Sequence, residues 1–524
     1  MTTVPSSQPN TSAPPDAPAE PSRTGGRKLW PIMVSLVLAL IPVQLDGLVA
    51  ATAMPTIAGD LGGFDRIAWI ATSFLLAMAI GTVVAGRLGD MFGRRRLLLA
   101  ALAVFFLGSL WSGISTSMTE LILARALQGI GAGMTFTSLL ASVADIAPPE
   151  KRARYQGVFG AVAPFSMIIG PWVGGLITDH LGWRWIFLLN LPLVAIAMTG
   201  IAVLLRLPKT HRGGRVDVAG LISVSVAAAG IVLAVSWGGN QYPWLSWQVI
   251  GAAMVGLLGV AATVYAERRA VNPVLPLDLF RNRSVLMAFC VMALAPGAVM
   301  MASMNYLPVF LQVVQGHSAS NSGLLLLPML LPAIAVAMLV GGWTSKGNRF
   351  RPVMIAGTAL LAVSSALLAT MTSGTPGLLT AVFMVLGGAG IGLLFQTPLV
   401  LVQNSAPAGE VGAATGAASF LRSVGGAIGV GGLGALFGSR FSDYLTSHPA
   451  TGTAGMSIGD LGPAQLAALP ADAHRTVIDA AVSANSILFW AAAVVAALAV
   501  VAAWAVPRMT ATERTVSEVV EVGR

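Results

Sequence analysis

About fourteen apolar runs, each near the twenty residues a helix needs to cross a bilayer, occupy most of this 524-residue chain. No other feature constrains the fold so tightly. Inside hydrocarbon every backbone N–H and C=O must be satisfied within the segment, and for separate runs of this length the helix does that. The runs lie near 30–53, 67–87, 97–116, 119–143, 156–177, 185–205, 217–237, 248–266, 285–314, 322–342, 352–371, 377–402, 412–438 and 484–506. With 56% hydrophobic and 10% charged residues, an ordinary soluble domain is excluded. The expected class is an all-α polytopic membrane protein.

The charges set an orientation. About 24 of the 30 Lys and Arg fall in the termini or in alternate loops, at 94–96, 151–154, 206–215, 268–283 and 346–351. Those loops are expected to be cytoplasmic, which with an even span count puts both termini in the cytoplasm. The expected location is the bacterial plasma (inner) membrane, crossed many times. The net charge of +9 then encodes orientation and gives no reason to expect nucleic acid. The single Cys290, inside an apolar run, rules out an internal disulfide framework. Residues 1–28, rich in Pro, Ser, Thr and Ala, are expected to be a disordered cytoplasmic tail, with no cleavable signal; 508–524 form a second cytoplasmic tail.

Between the tails, 29–207 reads as a six-helix bundle and 208–283 as two linking helices with flanking loops. Residues 284–507 read as a second six-helix bundle, which includes an exterior loop at 440–483. The part after Pro470, ADAHRTVIDAAVSAN, has helical spacing and is expected as a short helix leading into the last run.

The segment GRLGDMFGRRRL, Gly86–Leu97, joins two runs with more pattern than a turn requires. Gly86 and Gly93 allow tight turning, Arg94, Arg95 and Arg96 hold the loop on the basic side, and Asp90 is an acid among bases. A degenerate trace, GWTSKGNRFRP from Gly342, recurs in the second bundle with Lys346 in place of the acid, as two parallel halves would show. Asp145, at the end of the fourth run, is placed to pair with Arg94. In the first bundle two charges lie deep in the runs, Asp46 and Arg125, both in the outer third by residue count. Charges in hydrocarbon are expensive and usually functional, so Asp46 reads as a protonation site tuned by Arg125, with a static ion pair as the alternative. Arg422, about ten residues into the thirteenth run, reads as a partner for backbone carbonyls, or else for an anionic substrate group. All five histidines fall in expected loops or tails, so no metal site is expected, and the Gly-rich stretch after Gly429 lacks the Lys and Ser/Thr of a phosphate loop.

The loop at Gly86 resembles the signature loop of the major facilitator superfamily, G-x-L-x-D-x-x-G-R-R, through Gly86, Leu88, Asp90, Gly93, Arg94 and Arg95. LDGLVAATAMP from Leu45 is similar to the first-helix motif of its fourteen-helix drug:proton antiporters (the EmrB/QacA type), matching Leu45, Asp46, Ala53 and Pro55. RALQGIGAG from Arg125 resembles their fourth-helix motif, and SMIIGPWVGG, through Gly170, Pro171, Gly174 and Gly175, their fifth-helix antiporter motif. WRWIFLLNLP (Trp183–Pro192), SWGG (Ser236–Gly239), YLPVFLQVVQG (Tyr306–Gly316) and RSVGGAIGV (Arg422–Val430) look like the same branch.

The resemblance implies a major facilitator fold of fourteen spans: two six-helix bundles plus two inserted linking helices. It implies proton-coupled export of multiple drugs, or of small hydrophobic or cationic compounds, by alternating-access antiport. Asp46 and Arg125 would couple protons. Gly86, Asp90, Gly93, Arg94, Arg95 and Asp145 would gate. A central cavity would be lined by Gln44, Asp46, Phe136, Met300, Met304, Asn305, Tyr306, Gln312 and Gln396. Membrane lipid, protons and a small-molecule substrate are the expected partners of a monomer with no cofactor besides the proton. The alternatives are export of a lipid or endogenous metabolite, proton-symport uptake, and a receptor or scaffold that transports nothing. An enzyme is not expected, since no catalytic triad or metal cluster appears.

Overall fold

The computed structural model describes residues 29–61, 66–147, 149–205, 217–238, 242–270, 273–275, 277–316, 325–345, 349–407, 410–450 and 469–507. The expectations for the tails 1–28 and 508–524, and for Lys346, fall outside them. Among the described residues the regular secondary structure is helical, apart from one isolated bridge between Gly238 and Tyr242.

The first group comprises α1 (Leu29–Leu61), α2 (Ile67–Phe92), α3 (Arg94–Ile114), α4 (Met118–Ile146) and α5 (Pro149–His180), then the paired pieces α6 (Arg184–Leu188) and α7 (Asn190–Leu204). Next come α8 (Val218–Trp237) and α9 (Trp247–Glu267), packed against each other as a hairpin, and the short α10 (Asp278–Arg281). In the second group, α11 (Arg283–Met292) and α12 (Met300–Val313) are joined by a π-helical turn, Ala293–Val299. Then follow α13 (Leu327–Ser345), α14 (Phe350–Ala369), α15 (Gly377–Leu394) and α16 (Thr397–Ser405). Last, α17 (Val411–Ile428) runs through a second π turn, Gly429–Leu433, into α18 (Gly434–Ser447), and α19 (Ala471–Trp504) closes the chain's described part. Among the described residues, 12 helices are long and apolar enough to cross a membrane.

Glycines set the closest approaches. In α4, Gly129 and Gly133 lie one turn apart against the backbone of α2, at Phe74 and Met78, while Gly131 lies against α3 at Phe105. A small-xxx-small pair of this kind lets two helices meet backbone to backbone. Gly86 of α2 does the same across the two groups, where an added Cβ would sit 2.6 Å from Gly412 O on α17.

The stretch 440–483, expected as an exterior loop with a short helix after Pro470, is helical at both ends. Its first residues belong to α18, which continues to Ser447, and its last belong to α19, which begins at Ala471 and runs 34 residues unbroken. His474, expected in a loop, therefore lies in a helix. The cause is an apolar stripe: Phe437, Phe441 and Leu445 at four-residue spacing are buried in one cluster with Val477, Ala480, Ala481 and Ala484. That burial stabilises both helices beyond the spanning length. Residues 451–468 lie outside the described residues.

Candidate functional site

Asp46 sits 17 residues along α1, roughly 26 Å from its start at 1.5 Å per residue. Arg125 sits two turns into α4. The start of that helix is fixed by its caps: Ser117 Oγ accepts from Glu120 N at 3.3 Å, and Glu120 Oε2 accepts from Thr116 N at 2.9 Å. The two side chains meet. Arg125 Nη1 donates to Asp46 Oδ2, and both residues are buried, at 1% and 2% exposure.

Two amides complete the carboxylate's shell. Asp46 Oδ1 accepts from Gln128 Nε2 at 2.8 Å and from Asn190 Nδ2 at 2.9 Å. Gln128 Oε1 accepts from Arg125 Nη1 at 2.6 Å, and Gln128 Nε2 also donates to Ser109 Oγ at 2.7 Å. The guanidinium lies 4.2 Å from the centroid of the Phe74 ring and 5.5 Å from that of Phe187. A charged pair removed from water is retained only where further hydrogen bonds and cation–π contacts offset desolvation, and this one has both. The sequence pairing of Asp46 with Arg125 left out Ser109, Asn190, Phe74 and Phe187. Asn190 was visible only as part of WRWIFLLNLP, without a role.

A second charged set lies at the basic-loop end. Gly93, at φ 91° and ψ 127°, is the hinge between α2 and α3, a conformation that disfavours any residue with a Cβ. Arg94 therefore starts α3 close to Asp90: its Nη2 donates to Asp90 Oδ1 at 2.9 Å, and its Nε lies 2.7 Å from Asp145 Oδ2. Asp90 also reaches the second group. Its Oδ1 accepts from Gly412 N at 3.2 Å and its Oδ2 from Ala413 N at 2.9 Å, at the amino end of α17, where peptide dipoles favour an anion. Arg95 donates to Ala202 O of α7. Alongside, Gln156 Nε2 donates to Gln403 Oε1 at 2.6 Å, and Arg152 Nη1 to Asn404 Oδ1 at 2.8 Å. The two groups are thus tied together at this end.

The fifth-helix glycines divide. Gly170 packs on α1, with Leu48 Cβ 2.8 Å from where its own would be, whereas Gly175 has open space there, so close helix approach explains only the first. Gly174 is buried, and its carbonyl accepts from Thr178 Oγ1 at 2.7 Å. The side chain of Pro171 is outside the described residues.

The expected cavity residues also divide. Met300 and Met304 are buried in the main apolar cluster rather than lining open space. Tyr306 Oη donates to Val430 O at 3.2 Å, across to the second π turn. Asn305 is exposed and donates to Met301 O of its own helix at 2.7 Å. Gln44 and Gln312 are half-buried. Phe136 and Gln396 are buried, and the Phe136 ring lies against the Arg422 guanidinium. Among the described residues no group of three or more His, Cys, Asp or Glu is placed to hold a metal.

The described residues thus form a helical membrane fold with a buried charged pair in one group and a charged loop tying that group to the other. The Major Facilitator Superfamily profile matches residues 36–430, and the chain belongs to that family. It is 36% identical over 449 residues to an uncharacterized MFS-type transporter of Mycobacterium tuberculosis (strain ATCC 25618 / H37Rv), covering 83% of this chain and 64% of that protein's length. It is 34% identical to the multidrug transporter protein MdtP of Bacillus subtilis (strain 168), covering 79% of this chain and 76% of the relative. Among solved structures, the proton:xylose symporter XylE bound to 6-bromo-6-deoxy-D-glucose shares the fold, with a TM-score of 0.62 at 15% identity over 92% of this chain and 96% of that one.

Proposed function

We propose that this protein exports small hydrophobic or cationic compounds, drugs among them, in exchange for protons by alternating access. The observation that carries the reading is Asp46: an acid buried in a membrane span, able to change charge, and held by three groups on two other helices, Arg125 and Gln128 of α4 and Asn190 of α7, that a conformational change can pull apart. The relatives named for multidrug transport or resistance at 33–34% identity support export over uptake. On this reading the basic-loop end is cytoplasmic, both termini lie there, and the conformer described is closed at that end by Asp90, Arg94, Asp145, Gln156 and Gln403. The 32-residue α5 and 19-residue α13 complete fourteen spans, with α8 and α9 as the inserted pair in a bacterial inner membrane. The protein works as a monomer.

Protonation of Asp46 from the exterior removes one charge of the pair. The two amides and the guanidinium then bind it less strongly, and the helices carrying them are free to shift. Release of the proton inward restores the pair. A membrane potential of about 100 mV adds roughly 2.3 kcal/mol per charge moved.

The test is proton movement in proteoliposomes on adding a transported dye, with Asp46→Asn beside the native protein. Export predicts that the variant loses substrate-driven proton flux and uphill transport while still binding the dye. Normal flux in Asp46→Asn would leave Asp46 as a structural partner of Arg125 and overturn the mechanism.

A further inference from the structure

Arg422 is a charge deep in a span that the proton-coupling reading does not use. It lies 11 residues into α17, roughly 16 Å from the helix start and so near the middle of a bilayer about 30 Å thick in its apolar part. Two rings lie at the same depth. Phe136, 10 residues before the end of α4, has its centroid 4.9 Å from the guanidinium carbon; Phe395, in the two-residue break between α15 and α16, has its centroid at 5.3 Å. One ring comes from the first group of helices and one from the second, so the guanidinium is held at the seam between them.

Asp46 and Arg125 neutralise each other, and Arg94 is shared by Asp90 and Asp145. Against Arg422 no carboxylate is found among the described residues, and its Nη1 is buried without a hydrogen-bond partner. Beside Phe395, Gln396 is 4% exposed and its Oε1 is likewise buried and unpartnered. Phe395 and Gln396 both lean on Gly160 of α5, where an added Cβ would lie 3.2 Å from Phe395 Cδ1 and 3.4 Å from Gln396 Cγ. The aromatic contacts stabilise a cation through its faces but leave in-plane N–H donors unused. Interrupted spans at mid-depth are where transporters of this kind place their ligands, because side chains and backbone there are not consumed by the helix. An unneutralised cation in that position is a standing cost that a bound anion removes.

We propose that Arg422, flanked by Phe136 and Phe395, forms a subsite for the anionic group of an aromatic or otherwise apolar small molecule. The group is a carboxylate or sulfonate; it accepts from the guanidinium edge while the ligand's apolar body lies against the two rings. This rests on the export reading for its biological sense, and replaces cations by organic anions as the charged substrates.

The test is equilibrium binding of two fluorescent probes that differ by one group: 1-anilinonaphthalene-8-sulfonate and the uncharged N-phenyl-1-naphthylamine. Purified full-length protein is held in phosphatidylcholine nanodiscs, with empty discs subtracted. Hydrogen bonds to a charged group predict that the native protein prefers the sulfonate by about tenfold or more. Arg422→Gln should abolish that preference, weakening the sulfonate about tenfold while the neutral probe changes less than about twofold; Arg422→Lys should keep part of it. Equal affinity for the two probes in the native protein overturns the proposal without any variant. So does an Arg422→Gln protein that retains the preference or weakens both probes alike. Replacing a third of the lipid by phosphatidylglycerol should leave the preference intact; its loss there would give the subsite to a lipid headgroup and overturn the small-molecule assignment. No proton gradient is present, so failure of the antiport mechanism does not alter these readings.

Discussion

Asn190 donates to the same oxygen of Asp46, Oδ1, that accepts from Gln128, while Oδ2 is taken by Arg125. The carboxylate is thus shared by α1, α4 and α7, and its removal disturbs three helices at once. Leaving one member of a buried charged pair alone costs about 3–5 kcal/mol. Asp46→Ala and Arg125→Ala should each lower the unfolding temperature in detergent by several degrees. The double variant should lose less than the two together, because neither charge is then stranded. Additive losses would show that the pair is not energetically coupled.

Asp90 joins Arg94 on its own loop to the amino end of α17 in the other group. Asp90→Asn keeps the shape but removes the charge that two backbone N–H groups and a guanidinium hold. The conformer closed at this end should become less populated. Spin labels at Arg96 and Arg349, both exposed, read the opening as a shift of their distance distribution to longer values. Substrate affinity should change less than turnover. An unchanged distribution would remove Asp90 from the gate.

Gly133 has the backbone carbonyl of Met78 where a Cβ would go. Gly133→Ala must push α2 and α4 apart, at a cost of about 1–3 kcal/mol for an overpacked contact. Thermal unfolding in detergent should register a drop at Gly133 and little change for Gly175→Ala, whose Cβ meets nothing within 4 Å.

At the far end of the first group, Asp60 Oδ2 accepts from Trp183 Nε1 at 2.9 Å and from Arg184 Nη1 at 2.8 Å. These bonds, the tryptophan's first, hold the carboxyl below its ordinary value of 3.8. A carboxyl whose folded value is depressed adds stability above its unfolded value, and loses it as pH falls through the folded one. The unfolding-temperature gap between native protein and Asp60→Asn should therefore be flat from neutral pH to about 5 and close below the ordinary carboxyl range. A gap that persists at the lowest pH would assign the effect to shape alone. The group is exposed, so the gap should be small.

Topology is tested by tags. One inserted at Thr210 should be shielded in intact cells and one at Thr453 accessible; the reverse pattern would invert the orientation drawn from the basic loops.

Much of this was legible from the chain alone, for definite physical reasons. A charge inside an apolar run stands out, which is why Asp46, Arg125 and the loop from Gly86 could be picked before any coordinates. Asn190 could not: an uncharged amide in a helix is inexpensive, and it lies 144 residues from the carboxylate it serves. Met300, Met304 and Asn305 were expected to line one cavity, yet two are buried in the core and the third is exposed. Those expectations rest on residue type and span, and type alone does not tell which face of a helix a side chain takes. The helix expected after Pro470 from its helical spacing is present, continuous with the last span, whereas the extension of α18 to Ser447 was not expected.

The unbroken helix Ala471–Trp504 has a practical consequence. Its 34 residues measure about 51 Å, so roughly 20 Å exceeds the apolar thickness of a bilayer. Asp472, Arg475 and Asp479 mark an outward polar face on the projecting turns, while Ala473, Val477 and Ala480 are buried beneath them. A 53.7 kDa protein that is otherwise almost enclosed by detergent gives electron cryo-microscopy little to align on. An antibody fragment raised against this ridge would supply a fiducial fixed to the second group of helices alone, so images classified on it would register the first group's movement directly.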